Sequence, residues 1–255
     1  MAGNINIGSI NNGPVGRKNL IINGDFQVNQ RGVSSGHTAS GANEYTLDRW
    51  KILTSGQSIT WSGTYSKTVT APAGGFTQII EGLSIRSGTY VISWSGTATC
   101  TVDAVSKSSG DTFTLTEGTN CTVTFSGGTV ANVQVEQGDT PSQFEARSYG
   151  EELALCQRYY FDSFPGDAYP YGFNGNPVAV ALQVAIGLAP FPVTMRAAPT
   201  ITFKSNSPEQ SSIGSAASTA QNIGTTCFGR LIRTSGSWTN TCTPVTGQFT
   251  ADAEL

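Results

Sequence analysis

Short runs of alternating apolar and polar residues recur along the first half of the chain. They lie at residues 90–96, 113–115, 121–125 and 133–135. In the first run, Tyr90, Ile92 and Trp94 share one face of an extended strand, as in a strand buried on one side. Glycine-rich turns separate the runs, which is typical of a meander or Greek-key sheet. We therefore expect a jelly-roll β-sandwich over residues 19–147.

The hydrophobic period changes after residue 147. Ser148 is followed three residues later by Glu151, which has the form of a helix capping box. Glu151 in the first turn and Arg158 near the end would each complement the helix dipole. We therefore expect one short linking helix over residues 148–160. Its apolar stripe would contain Leu153, Cys156, Tyr159 and Tyr160.

Strand-like patterns return after residue 160. Apolar residues alternate with small residues over 178–186, and further strands are indicated at 227–233 and 248–253. Residues 204–226 are rich in Ser, Ala and Thr without a clear period, which predicts a long loop. We expect a second, smaller β-sandwich-like domain over residues 161–255. The predicted fold class is therefore all-β.

The composition narrows the classes of partner. Only 12% of the residues are charged, against about 25% in an average protein, and the net charge is −3. Such a chain offers no basic surface for phosphates, so nucleic acid is not an expected partner. No stretch approaches the roughly 20 apolar residues that cross a bilayer, so membrane insertion is not expected either. Residues 1–18, rich in Asn and Gly, are predicted to form an extended arm that needs a partner to become ordered.

Several segments of the chain resemble phage and prophage tail proteins whose sandwich is similar to the carbohydrate-binding jelly rolls. These segments are residues 19–32, 45–50, 133–160, 191–200 and the final FTADAEL at 249–255. The resemblance implies a structural virion protein, assembled in the bacterial cytoplasm as a homotrimer. Residues 1–18 would then attach it to other virion proteins.

Most residues of these segments have a structural interpretation. Asn23 and Asp25, with the glycine between them, are predicted to form a turn between strands. Trp50 follows Asp48 and Arg49, and we interpret it as a core residue beside an ordering ion pair. In the jelly rolls that the chain resembles, an acidic residue near Asp25 helps to hold a structural calcium.

A metal, a cofactor and an enzymatic activity are not expected. Gln27 stands where a second carboxylate would help a calcium ion near Asp25. His37 is the sole histidine and is predicted to lie in a loop. A histidine-dependent catalytic triad and a metal site with several histidines are therefore not expected. The cysteines show no CxxC pair, and no carboxylate pair stands out for glycoside hydrolysis. Cys100 and Cys121 are predicted to point into a core, although disulfides between these two or between Cys227 and Cys242 remain open.

The predicted function is a tail fibre or receptor-binding appendage that contacts host-surface polysaccharide. Aromatic rings and uncharged hydrogen-bonding groups suit a sugar site. The candidate ligand residues are Tyr169, Tyr171, Asn174 and Trp238. Burial of these aromatics in a core or a subunit interface is the competing interpretation. Two alternatives remain for the whole protein: a head fibre, cement or capsid decoration protein without a glycan ligand, and a carbohydrate-binding module of a cellular enzyme.

Overall fold

The computed structural model describes residues 19–163, 184–203, 217–233 and 249–255. The described residues form four antiparallel sheets, together with one α-helix and one short 3-10 helix at Gly82–Ser84. The prediction of an all-β fold is confirmed. Within these ranges no helix has the length and apolar character to cross a membrane.

Twelve strands build the first two sheets. They are β1 (His37–Thr38), β2 (Glu44–Tyr45), β3 (Lys51–Ile52), β4 (Ser58–Ser62), β5 (Thr68–Thr70), β6 (Phe76–Ile80), β7 (Gly88–Gly96), β8 (Thr99–Val102), β9 (Val105–Lys107), β10 (Thr112–Leu115), β11 (Cys121–Ser126) and β12 (Thr129–Gln137). One sheet has the order β1-β4-β5-β12-β7-β10, and the other has the order β2-β3-β6-β11-β8-β9. His37, expected in a loop, lies instead in β1, where its backbone pairs with Ile59.

A shared core fills the space between these two sheets. It combines Ile59, Val69, Ile92 and Val130 from one sheet with Ile52, Phe76, Val123 and Phe125 from the other. Trp50 is fully buried there, with ring centroids 5.1 Å from Phe76 and 5.2 Å from Phe26. Because both sheets contribute to one core, they form a β-sandwich. The jelly-roll connectivity within it remains a prediction.

The predicted alternation describes β7 only in part. Tyr90 and Ile92 are buried, as expected, whereas Trp94 is only half-buried. Val91, expected on the outer face, is also buried. Its cross-strand neighbours on this face are Thr112 of β10 and Glu136 of β12, and Glu136 is itself buried.

Strand β12 contains a bulge. Its pairing with β7 shifts in register around Asn132, which has a left-handed φ of 52°. In a regular strand Val130 and Val133 would face opposite sides of the sheet, because successive side chains alternate. The bulge brings both into the core, together with Val135.

Residues 19–24 lie along β12 beyond its short pairing with β5, which ends at Val130. Leu20 N donates to Val135 O at 2.8 Å, and Val133 N donates to Gly24 O at 2.9 Å. Asn19 completes the contact, because its side-chain oxygen accepts from Val135 N at 3.1 Å. This segment therefore satisfies backbone groups of β12 that β5 does not reach.

The helix α1 (Tyr149–Gln157) begins where the sequence predicts. Ser148 is its N-cap, and the reciprocal contacts between Ser148 and Glu151 form the predicted capping box. The helix ends earlier than expected, because Arg158 is its C-cap and Tyr160 already belongs to the next strand.

Six further strands form two three-stranded sheets. They are β13 (Tyr160–Asp162), β14 (Val184–Pro190), β15 (Thr200–Phe203), β16 (Ala217–Gln221), β17 (Cys227–Arg233) and β18 (Phe249–Asp252). The sheets have the orders β13-β18-β15 and β14-β17-β16. A second core joins them, in which the rings of Phe228 and Phe249 meet at 4.8 Å and 79°. The predicted strands at 227–233 and 248–253 are confirmed as β17 and β18. Strand β16 corrects the predicted loop at residues 217–221, where backbone pairing with β17 holds a strand whose Ser, Thr and Ala residues show no apolar period. Residues 204–216 of that predicted loop lie outside the described residues.

The cysteines within the described ranges are free thiols. Cys100, Cys121 and Cys156 are buried, and Cys227 is half-buried. Burial raises the pKa of Cys100 and of Cys121 to about 12, so both remain neutral hydrophobic groups of the core.

Gly24 approaches β12 too closely for a side chain. A Cβ atom at this position would lie 2.3 Å from Val133 O. We expect Gly24→Ala to lower the free energy of unfolding by about 1–3 kcal/mol, as overpacking does. Urea unfolding followed by circular dichroism measures this loss. The control is Gly41→Ala, because a Cβ there meets no atom within 4 Å. Equal stability of the two variants would contradict the close approach.

Candidate functional site

Asn23 connects two separate parts of the sandwich. It is fully buried, with a left-handed φ of 58° that suits the predicted turn. Its side-chain amide donates to Val28 O at 2.9 Å and to Asp48 O at 3.0 Å. Its side-chain oxygen accepts from Val28 N at 2.9 Å, and its carbonyl accepts from the Trp50 indole at 3.0 Å. The turn is thereby tied to the segment that contains Asp48 and Trp50.

The helix contributes a buried carboxylate to the same place. The side chain of Glu152 accepts a hydrogen bond from Asn23 N. Arg147, whose guanidinium lies 3.3 Å from Glu152, also donates to Ile21 O at 3.0 Å. Burial raises the pKa of Glu152, while the Asn23 N–H and the charge of Arg147 act in the opposite direction. Helix and turn are therefore joined by a charged group inside the protein.

Arg49 forms the second charged contact. Its side chain is 1% exposed and pairs with Glu254, whose side chain is 3% exposed. The guanidinium also donates to Ile79 O at 2.7 Å and lies 3.6 Å from the ring centroid of Tyr159. Burial lowers the pKa of Arg49, but Glu254 together with Tyr159, Tyr45 and Cys156 outweighs this effect, and the pKa is raised. Tyr159 in turn donates to Glu81 at 2.8 Å.

Arg31 lies among three carboxylates and an aromatic ring. It is 3.9 Å from Asp48, 3.5 Å from Asp252 and 3.6 Å from Glu254, and it stacks 3.6 Å from the ring centroid of Tyr160. Burial raises the pKa of Asp48, against the charge of Arg31 and hydrogen bonds from Gln30. The predicted ion pair between Asp48 and Arg49 is therefore wrong. Asp48 is bound by Arg31 and Gln30, whereas Arg49 pairs with Glu254.

Residues 253–255 are held by side chains from two regions. The Tyr45 hydroxyl donates to Leu255 O at 2.6 Å, and the Lys51 ammonium donates to the same oxygen at 3.1 Å. Arg196, which follows β14, donates to Ala253 O at 2.8 Å. Burial and the charge of Glu254 raise the pKa of Tyr45 to about 12, so its phenol stays a neutral donor.

We call this network the polar seam. It consists of Asn23, Arg31, Asp48, Arg49, Glu81, Arg147, Glu152, Tyr159 and Glu254. Its charged groups are engaged with one another and with backbone carbonyls, and they are buried rather than grouped around an open cleft. Such an arrangement fixes the relative positions of the sandwich, the helix and β18. Arg158 extends it through an ion pair with Glu81 at 3.2 Å, while Glu151 serves the helix cap.

Asp25 lies beside a cation supplied by the protein. Burial raises its pKa, while hydrogen bonds from Gln27 and the charge of Lys67 lower it. The Lys67 ammonium donates to Phe26 O at 2.7 Å and to Gln27 O at 3.3 Å. Carbonyl oxygens that could serve a calcium ion next to Asp25 are therefore already bound to an ammonium group. Across the four described ranges, no group of three or more His, Cys, Asp or Glu residues could hold a metal ion.

A cleft of about 430 Å³ is lined by residues of β7, β8 and β9 and of the loop between β9 and β10. We call it the Trp94 cleft; its lining includes Trp94, Ala98, Thr99, Cys100, Lys107 and Asp111. The Trp94 ring packs on Phe125 of the core at 5.3 Å and 72°. Because Trp94 is half-buried, part of its indole is anchored while part remains accessible.

Residues 108–111, between β9 and β10, are fastened to β7 beside this cleft. The Ser109 hydroxyl accepts from Trp94 N at 3.0 Å and donates to Trp94 O at 3.1 Å. Gly110 N donates to Ile92 O at 2.8 Å, and Ile92 N donates to Asp111 O at 3.2 Å. One wall of the cleft is therefore built by backbone pairing rather than by free side chains.

The sequence-predicted ligand residues Tyr169, Tyr171, Asn174 and Trp238 lie outside the described residues, as do the arm 1–18 and Cys242. Of the predicted structural residues, the structure places Asn23, Asp48, Arg49 and Arg158 in or against the polar seam. Trp50 lies in the core and donates to Asn23.

Sequence reasoning missed Arg31, Glu152 and Glu254 as buried charges, and it missed the Trp94 cleft. Charged residues carry no apolar period, so nothing in the pattern marks them as buried. The resemblance segments did contain all three of these charged residues. Trp94 follows the alternation of Tyr90 and Ile92, which predicts burial and gives no sign that the strand ends at a cleft.

Comparison of the chain with protein-family models, with curated proteins and with solved structures gives no match.

The pairing of Arg49 with Glu254 predicts a large and specific loss of stability. We expect Arg49→Met to lower the free energy of unfolding by about 3–5 kcal/mol, because it removes the nearer of the two arginines that pair with the buried Glu254 and leaves only Arg31, at 3.6 Å. In the double variant Arg49→Met, Glu254→Gln the loss should be smaller than the sum of the single losses. Urea unfolding of all three variants measures both effects.

The matched control for this prediction is Arg86→Met. Arg86 pairs with Glu117 at 3.9 Å on the surface, with side chains 80% and 64% exposed. Such exposed pairs contribute about 0–1 kcal/mol. Similar losses for Arg49→Met and Arg86→Met would refute the importance of the buried pair.

Proposed function

We propose that this chain is a non-enzymatic structural protein of a bacteriophage particle, a tail fibre or receptor-binding appendage that contacts host-surface glycan. One observation carries this proposal. The segments that resemble phage tail proteins are far apart in the chain, yet residues of 19–32, 45–50, 133–160 and 249–255 meet in the polar seam. Residues that depend on one another in a single network are expected to recur together in related folds, which supports the resemblance.

The chemistry of the polar seam supports a structural role. Glu254 is paired with Arg49, Glu81 accepts from Tyr159, and Asp48 accepts from the Gln30 backbone at 2.5 Å. A general acid or base must reach a substrate within hydrogen-bond distance. These carboxylates are directed at partners inside the protein, where they order the fold.

The outer faces of the sandwich support contact with glycan or with neighbouring proteins. Exposed hydroxyl residues repeat along its strands, at Ser58, Thr60, Ser62, Thr68, Thr70, Thr112 and Thr114. Hydroxyl groups donate and accept hydrogen bonds without the cost of desolvating a charge. A surface of this kind suits ligands that are themselves rich in hydroxyl groups.

The proposed function includes assembly of the protein into a homotrimer and its attachment to the particle. The resemblance implies a homotrimer, and residues 1–18 supply a polar arm that would attach the protein to other virion proteins. A head fibre, cement or decoration protein would use the same arm without a glycan ligand. The position on the particle separates these functions.

Immunogold labelling of intact phage particles tests the proposed function. With antibody raised against the full chain, we expect gold at the tail tip or tail fibres, since an appendage must reach the host surface. Particles treated with antibody that has been absorbed on the purified protein serve as the control. Gold spread over the head would replace the tail assignment with a capsid decoration protein. Unlabelled particles would overturn the virion assignment and favour the cellular carbohydrate-binding module.

A further inference from the structure

We propose that the Trp94 cleft is a carbohydrate subsite that takes one neutral hexose or N-acetylhexosamine unit. Such a site presupposes the function proposed above, since it is the place where the module contacts glycan. It differs from the sites suggested by sequence at Tyr169 and Trp238, because it is built from the sandwich itself.

The floor of the cleft is apolar and uncharged. Ala98 and Cys100 are 5% and 3% exposed, and the half-buried indole of Trp94 stands beside them. Burial raises the pKa of the Cys100 thiol to about 12, so this group carries no charge at neutral pH. A pyranose ring presents C–H groups on its faces, and an aromatic ring attracts them through its negative π face. The floor therefore suits one face of a sugar ring.

The rim of the cleft consists largely of hydroxyl groups. Thr99, Ser106, Ser108 and Ser109 line it, and all four residues are exposed. The hydroxyl protons of Thr99 and Ser109 are already donated to Ser126 O and Trp94 O, at 2.8 and 3.1 Å, so these two groups offer acceptors only. The hydroxyls of Ser106 and Ser108 can both donate and accept, as sugar hydroxyls do. A phosphate would use only the donors of such a rim. The lining therefore favours a neutral polyhydroxylated ligand.

The two charges at the cleft have opposite sign and are already engaged. The Lys107 ammonium donates to Thr112 O at 2.9 Å, and Asp111 accepts from Ser108 N at 2.7 Å. One cation and one anion give the cleft no net charge, so it does not select an anion. An acidic sugar would have to give up hydration of its carboxylate in a cleft that supplies no net positive charge to offset that cost, which is unfavourable.

The cleft is formed before any ligand arrives. Its volume of about 430 Å³ falls within the range of small-molecule sites, about 300–1,000 Å³. The hydrogen bonds of Ser109 and Gly110 to β7 hold the wall in place. Binding then does not require a disordered loop to become ordered, which lowers its entropic cost.

Nuclear magnetic resonance of the full 15N-labelled chain tests the subsite. The probes are glucose, galactose and N-acetylglucosamine, with glucuronate as the acidic comparison. The chain has four tryptophans, so its indole N–H signals are few, and a Trp94→Phe spectrum identifies the signal of Trp94. We expect at least one neutral sugar to shift the Trp94 indole signal to saturation, and glucuronate to bind more weakly than glucose.

Two matched variants separate loss of the cleft from loss of the fold. Ser106→Leu places a bulky non-aromatic side chain at the exposed mouth of the cleft without touching the core, and it should weaken binding by about tenfold or more. Thr60→Leu adds the same side chain at an exposed position of β4, outside the cleft, and should leave binding unchanged. Equal binding by the two variants would overturn the subsite.

The remaining outcomes distinguish this subsite from the function on which it rests. Shifts confined to residues away from the cleft would overturn the subsite and leave glycan contact in place. Tighter binding of glucuronate than of glucose would overturn its neutral specificity. If no sugar shifts any signal while gold labels the tail, the subsite is wrong and the tail assignment stands.

Discussion

The pairing of Arg49 with Glu254 is the interaction on which the arrangement of the described elements depends. Moving a charge from water into a protein interior costs several kcal/mol per ion, and only close and well-placed partners offset it. Arg49 obtains them from three directions, namely the Glu254 carboxylate, the Ile79 carbonyl and the Tyr159 ring. The sandwich, the residues after the helix and β18 cannot separate without leaving this guanidinium unpaired. Their association is therefore strongly favoured over partial opening.

The residues of the polar seam tolerate fewer exchanges than those of the apolar core. A core of Val, Ile and Phe tolerates many exchanges of similar volume. A buried carboxylate or guanidinium tolerates few, since each group requires its own partner. The Trp94 cleft shares no residue with the polar seam. The residues that line the cleft can therefore change while the residues that position the elements stay the same.

The sequence predicts those structural features that produce a pattern among neighbouring residues, and it does not predict features that depend on contacts between distant residues. The alternation in residues 121–125 and the capping box at Ser148 are local, and both appear where expected. Strand β16 was missed because its stability comes from backbone pairing with β17, which needs no apolar period. Glu152 was expected only as a first-turn acid, and its burial depends on Arg147 and Asn23, which the sequence does not place beside it. The cleft is lined by residues of both sheets, and the residue pattern of a single strand does not predict that arrangement.

Residues 19–24 also protect an open flank of the protein. The bulge at Asn132 turns Val133 and Val135 into the core, but their backbone groups lie past the end of β5 and would face solvent without this segment. Exposed strand edges of this kind are templates for pairing with another chain, and they lead to aggregation. Residues 19–24 therefore cover this exposed strand edge and also anchor the segment to β12. Any shorter form of this module that preserves its solubility must retain the polypeptide from Asn19 onward.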